Sequence, residues 1–127
     1  MASELTKRAT GEITVKAPPV EVARTIQETF GKMGFFHKRQ KIEEKADSIE
    51  LYGERREFTL RSWGEKVKIE IVGDGIVGSV VRAESEAWLP TTIFDYGQNK
   101  DNLKKIFTAL ITKHKKTSPI VIKEKTF

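Results

Sequence analysis

The chain of 127 residues contains no cysteine, which removes disulfide frameworks, thiolate zinc sites and cysteine nucleophiles from consideration. Histidine is scarce too, with only His37 and His114. No apolar run approaches the roughly 18 to 20 residues needed to cross a bilayer, and Met1 to Gly11 lacks the apolar stretch of a signal peptide. A cytoplasmic protein without a transmembrane segment is therefore expected. What is present is enough for one domain: 38% hydrophobic and 32% charged residues give a polar chain with a modest core, too short for two. The reading is a single domain over 1–127, with 1–10 as a flexible leader and 117–127 as a tail or edge strand.

The net charge of +5 is unevenly spread. Lys100 to Phe127 carries eight lysines against Asp101 and Glu124, so this stretch alone holds +6 and the rest of the chain −1. Such an excess attracts phosphate, anionic lipid or acidic protein. All eight cations are lysine, a strongly hydrated point charge, whereas arginine is the usual choice for bidentate phosphate or base recognition. Solvation explains the excess as well as binding does.

Periodicity orders the elements. Gly11 to Lys16 alternates, with Ile13 and Val15 on one face of a strand. Ala17-Pro18-Pro19 stops it and starts a helix, because proline fits the first helical position. Val22, Ala23, Ile26, Phe30 and Met33 make its apolar stripe, and Gly34 its stop. From Phe35 to Trp88 short alternating segments argue for an antiparallel meander. Phe36 to Lys45 reads as a strand, Asp47-Ser48 as a turn, and Ile49, Leu51, Phe58 and Leu60 as inward positions either side of a bulge or turn at Gly53. Gly64-Glu65 resembles a two-residue hairpin, and Gly73-Asp74-Gly75 the next reversal. Val77, Ser79, Val81, Ala83, Ser85 and Ala87 form a row of small side chains, where a helix can approach closely. Leu89-Pro90 ends that strand, and Thr92, Asp95 and Asn99 compete to cap a second helix starting near Gly97 to Asn99. Leu103, Ile106, Phe107, Leu110, Ile111 and His114 give its apolar stripe, and Ser118-Pro119 its end. The fold class is α+β: an antiparallel meander of about five to six strands in β-α-β(n)-α order, with both helices on one sheet face.

No catalytic or metal motif emerges. His114 continues a core stripe, and His37 has Lys38 and Arg39 beside it with no carboxylate near. Asp74 and Asp95 have turn and cap explanations, and the glycines at 73, 75 and 78 precede a strand where a phosphate cradle needs a helix. Tyr52, Trp63 and Tyr96 near Arg55, Arg56 and Arg61 suggest a stacking surface for nucleic acid. However, Glu50, Glu54 and Glu57 alternate with them, the pattern of a solvated face with cross-strand pairs, so nucleic acid is disfavoured.

The phrase Ile13-Thr14-Val15-Lys16-Ala17-Pro18-Pro19-Val20-Glu21-Val22 resembles the opening of START-like helix-grip proteins, the polyketide-cyclase and pollen-allergen group. Asp95-Tyr96-Gly97-Gln98-Asn99 is similar to a phrase before the last helix of small bacterial proteins of unassigned function. The resemblance implies a curved antiparallel sheet gripping a C-terminal helix, with a hydrophobic ligand between them. An empty 300 Å³ pocket would cost on the order of 7 kcal/mol, against a total stability of about 5 to 15 kcal/mol, so a small cleft or a filled core is expected.

The leading expectation is a non-enzymatic domain without a cofactor that binds a small apolar or amphipathic ligand. Its walls would be Val81, Ala83, Leu103, Phe107 and Leu110, residues of a kind that is more often simple core than ligand wall. The alternative is an interaction module presenting Lys104, Lys105, Lys115 and Lys116 of the last helix to an acidic protein, membrane surface or nucleic acid. An enzyme ranks last, because no nucleophile, metal motif or acid and base pair stands out. Ile120-Val121-Ile122 is a candidate edge strand through which two copies could pair.

Overall fold

The alternation around Ile13 and Val15 runs further back than its apolar residues suggest. In a computed structural model, which describes residues 6–43, 48–55, 64–75, 78–87 and 98–126, strand β1 spans Thr6–Val15. Half of the expected leader is therefore strand. The reason is position: β1 pairs with one strand on each side along most of its length, which satisfies the backbone of Thr6 to Thr10 whatever the side chains. Helix α1 follows over Pro19–Met33, then β2 (Phe36–Glu43), β3 (Ser48–Arg55), β4 (Glu65–Asp74), β5 (Gly78–Ala87), α2 (Gln98–Lys113) and β6 (Val121–Thr126). The six strands form one antiparallel sheet in the order β2-β3-β4-β5-β1-β6. The fold is α+β, as the periodicity predicts. None of the described helices is long and apolar enough to cross a membrane.

Helix α1 starts and stops as its sequence dictates. Pro18 caps it without a side-chain bond, the Glu21 and Val22 amides donate to the Pro18 carbonyl, and Gly34 closes it at φ 80°, a left-handed angle that glycine adopts at little cost. Val22, Ala23, Ile26 and Phe30 are buried. Helix α2 begins at Gln98, within the expected window, but it ends at Lys113. Ser118-Pro119 does not set that end. The segment after Lys113 is captured by β1: the Lys16 amide donates to the Lys115 carbonyl, the Thr117 amide to the Thr14 carbonyl, and the Thr14 amide to Ser118 Oγ, each at 2.8 Å. Ile111, placed on the apolar stripe by spacing, is exposed because it falls beyond the arc that meets the sheet.

The helices lie side by side on one face. α1 rests on β3 and β4, and α2 on β1 and β5, where the small row includes the buried Ser79, Val81, Ala83 and Ser85; Val77 lies outside the described residues. Alternate residues of each central strand, such as Val67, Ile69 and Ile71 of β4, enter the core between sheet and helices. Gly53 is neither bulge nor turn. It pairs in register within β3, and the irregularity lies instead in β2 between His37 and Arg39. Its role is clearance, since a Cβ there would meet the Phe30 ring at 3.1 Å. Gly11 in β1 does the same for α2, with a Cβ position 2.6 Å from Phe107 Cε2. Two phenyl rings thus sit over two glycine notches and fill the space between helices and sheet.

Glu65 opens β4 and is not part of a turn, while Gly64 before it has φ 113°. Gly75, at φ 74°, makes the reversal between β4 and β5. The expectations for Asp47, Phe58, Leu60, Trp63, Leu89-Pro90, Thr92, Asp95 and Tyr96 fall outside the described residues. β6 pairs with β1 inside the same chain, and Ile120 and Ile122 pack against the core, so that segment's inner edge is already taken.

The notch at Gly11 has a measurable consequence. Gly11→Ala should destabilise the fold by about 1–3 kcal/mol in urea denaturation through overpacking against Phe107. Adding Phe107→Leu to that variant should cost less than the same change in the unaltered chain.

Candidate functional site

Beside the apolar core, one end of the helix–sheet interface is polar. Glu65 follows the inward parity of Val67, Ile69 and Ile71, and Ser85 follows that of Val81 and Ala83. From above, the first turns of α2 supply Gln98, Asn99 and Asn102, which continue the Leu103-Ile106 stripe backwards at helical spacing. All five side chains are buried. Ser85 Oγ donates to Asn99 Oδ1 at 2.7 Å, and Gln98 Nε2 donates to Asn102 Oδ1 at 2.9 Å. Asn102 Nδ2 reaches Glu65 Oε1 at 2.9 Å and Ser85 Oγ at 3.3 Å. A carboxyl group, a hydroxyl and three amides are thereby joined in one enclosed network. Burial of such groups is tolerable only when they are hydrogen-bonded.

Chemically, the network offers both donors and acceptors from the amides, whose orientation is set by their partners. Its one ionisable member is Glu65. Among the described residues, no group of three or more His, Cys, Asp or Glu residues could hold a metal.

The five residues expected to wall a ligand, Val81, Ala83, Leu103, Phe107 and Leu110, are all buried in the core next to this network, and Phe107 occupies the Gly11 notch. Open grooves among the described residues lie elsewhere. One, of about 540 Å³, is on the outer sheet face among Thr10, Glu12, Lys68, Glu70, Arg82 and Lys123. That face is a cross-strand charge lattice: Arg82 bonds Glu12 at 2.9 Å and Glu70 at 3.4 Å, Arg8 lies 3.5 Å from Glu84, and Lys66 lies 3.7 Å from Glu86. The Glu12 and Glu70 hydrogen bonds push the Arg82 guanidinium above its ordinary pKa. Tyr52 donates to Glu50 and lies under Lys68, as the alternating charges predict for a solvated face; exposed pairs of this kind add little stability.

The second groove, of about 650 Å³, lies between the helices and includes Lys104 and Lys105. The four lysines grouped by sequence do not share a helix face, because Lys115 and Lys116 follow the end of α2 and lie along β1. His114 is half-buried at that same end, its Nε2 2.9 Å from Thr25 Oγ1 of α1. This is a tie between helices.

Sequence reasoning missed Glu65, Gln98, Asn99 and Asn102 as a group. The signals were present: Glu65 shares strand parity with three core residues, and the α2 stripe extended one turn towards the N-terminus lands on Asn102 and Asn99.

A scan against protein-family models and a search of curated proteins return no match, so the helix-grip resemblance gains no family-level support. Among solved structures the chain is similar to the di-domain ARO/CYC BexL from the BE-7585A biosynthetic pathway, with a TM-score of 0.42 and 16% identity over 84% of this chain and 42% of that one. This chain spans less than half the length of that protein. The network itself predicts a contrast in stability. Asn102→Ala should cost about 1–3 kcal/mol in urea denaturation, because it strips a partner from each of three buried groups, on Gln98, Glu65 and Ser85, whereas Arg82→Ala on the outer face should cost about 0–1 kcal/mol. A double-mutant cycle on Ser85→Ala and Asn99→Ala should show a coupling of at least about 0.5 kcal/mol.

Proposed function

We propose that the protein is a binding domain for a small amphipathic molecule that seats between the start of α2 and the sheet. Its polar end would meet Glu65, Ser85, Asn99 and Asn102, and its apolar part would turn towards Leu103, Val81, Ala83, Phe107 and Leu110. The observation that supports this reading is the enclosed polar network at one end of an otherwise apolar interface. A network of this kind is seldom worth more to stability than well-packed apolar side chains of the same volume. Its chemical value lies in discrimination. A site built to hydrogen-bond a ligand rejects analogues that lack the matching group, because its own buried groups are then left unsatisfied.

The filled core limits the ligand. Among the described residues Phe107 and Phe30 fill the space over Gly11 and Gly53, and the energetic cost of a large dry volume would consume much of the stability of such a domain. The occupant is accordingly small, and it enters by displacing the first turn of α2, where Gln98 and Asn99 bond the rest of the network.

Native mass spectrometry of the purified protein beside its denatured mass tests this directly. The expected result is extra mass that disappears on denaturation, or saturable binding of a fatty-acid or hydrophobic-dye probe that Glu65→Gln or Asn102→Leu abolishes while circular dichroism stays native. A bare monomer with no saturable binding of either probe would overturn the reading.

A further inference from the structure

The groove between the helices has a charge pattern that the polar network does not explain. α1 and α2 run antiparallel: Thr25 meets His114, and Lys113 Nζ lies 3.0 Å from Glu28 Oε2. Further along, towards the end of α1, the groove opens to about 650 Å³. Lys32 of α1 stands on one side, and Lys104 and Lys105 of α2 on the other. Met33 and Ala109, both half-buried, form an apolar floor, with Thr29 and Thr108 beside them.

Three cations therefore face one opening. Among the described residues none of the three has an ion pair within 4 Å, whereas Arg8, Lys66, Arg82, Lys100 and Lys113 all have one. The acidic groups closest in sequence have partners of their own. Glu28 is bonded to Lys113, and that hydrogen bond, with smaller contributions from Lys32 and Arg24, holds its carboxyl below the usual carboxylate range. Asp101, one turn before Lys104 and Lys105, is half-buried with an interaction of its own.

We infer that this groove binds a small polyanion of the phosphate-ester or pyrophosphate type, held by Lys32, Lys104 and Lys105. Lysine suits the task as a mobile point charge for phosphate oxygens, without the bidentate geometry that arginine imposes. The Thr108 hydroxyl is exposed at the same opening and supplies a neutral donor or acceptor. The volume is within the range of small-ligand sites. The site is separate from the buried network, which lies on the opposite, sheet-facing side of α2.

The probe is inorganic pyrophosphate, titrated calorimetrically into the full chain at low ionic strength. The expected result is one saturable site that weakens steeply with added salt. Lys32→Gln, Lys104→Gln and Lys105→Gln should each weaken it about threefold, and the triple variant about 30-fold, if the three act independently. Lys115→Gln with Lys116→Gln should leave it unchanged, which separates a built groove from general attraction to a basic protein. Equal loss from the Lys115 and Lys116 pair would overturn the inference, as would no saturable binding at millimolar pyrophosphate. Binding to anionic phosphatidylserine vesicles without any to pyrophosphate would overturn it too, because the partner would then be a surface. Lys32, Lys104 and Lys105 are exposed on the helices, and Lys115 and Lys116 are exposed beyond the end of α2, so unchanged thermal unfolding is expected of each variant.

Discussion

The distance of α2 from β1 governs the rest of the molecule. A side chain at position 11 would hold the helix away, because its Cβ would lie 2.6 Å from the Phe107 ring. With glycine there, Phe107 sinks against the strand, and the helix carries Leu103, Ile106 and Leu110 into full burial beside it. The same approach lowers the first turns of α2 onto β4 and β5, so that Asn99 and Asn102 come within hydrogen-bond reach of Ser85 and Glu65. Close packing of this kind is unforgiving of volume changes. Among the described residues it fills the space between helices and sheet with apolar side chains and gathers the buried polar groups at one end.

One helix therefore carries two unrelated surfaces. Its inner face runs from amides at the start to apolar residues further on, and its outer face carries Lys104, Lys105 and Thr108. The inner face is tied to the sheet by uncharged donors to a buried carboxyl and a hydroxyl, interactions that salt screens little. The outer face carries exposed charge, which salt screens.

Much of this was legible before the structure. The β-α-meander-α order, the glycine stop at Gly34 and the start of α2 near Asn99 all followed from periodicity and capping, because those features are local. The small row of β5 correctly marked where a helix approaches. What escaped was non-local. Lys113 ends α2 because β1 captures the segment after it, and nothing within that segment announces this. Gly53 looked like a punctuation mark because its reason, the Phe30 ring, lies over 20 residues away in the chain. Glu65 and Asn102 are 37 residues apart, and spacing alone does not reveal that they meet. Each residue also had a sufficient local explanation, a turn for Glu65 and a cap for Asn99, and those explanations hid the network.

The most direct test is a solution nuclear magnetic resonance experiment on the ligand-free protein. Seating of α2 predicts nuclear Overhauser contacts between the Gly11 Hα protons and the Phe107 ring, together with slowly exchanging side-chain amide protons on Asn102, since buried hydrogen-bonded groups open only rarely. A Phe107 ring without contact to Gly11, and Asn102 amide protons exchanging at the rate of free amides, would contradict the account.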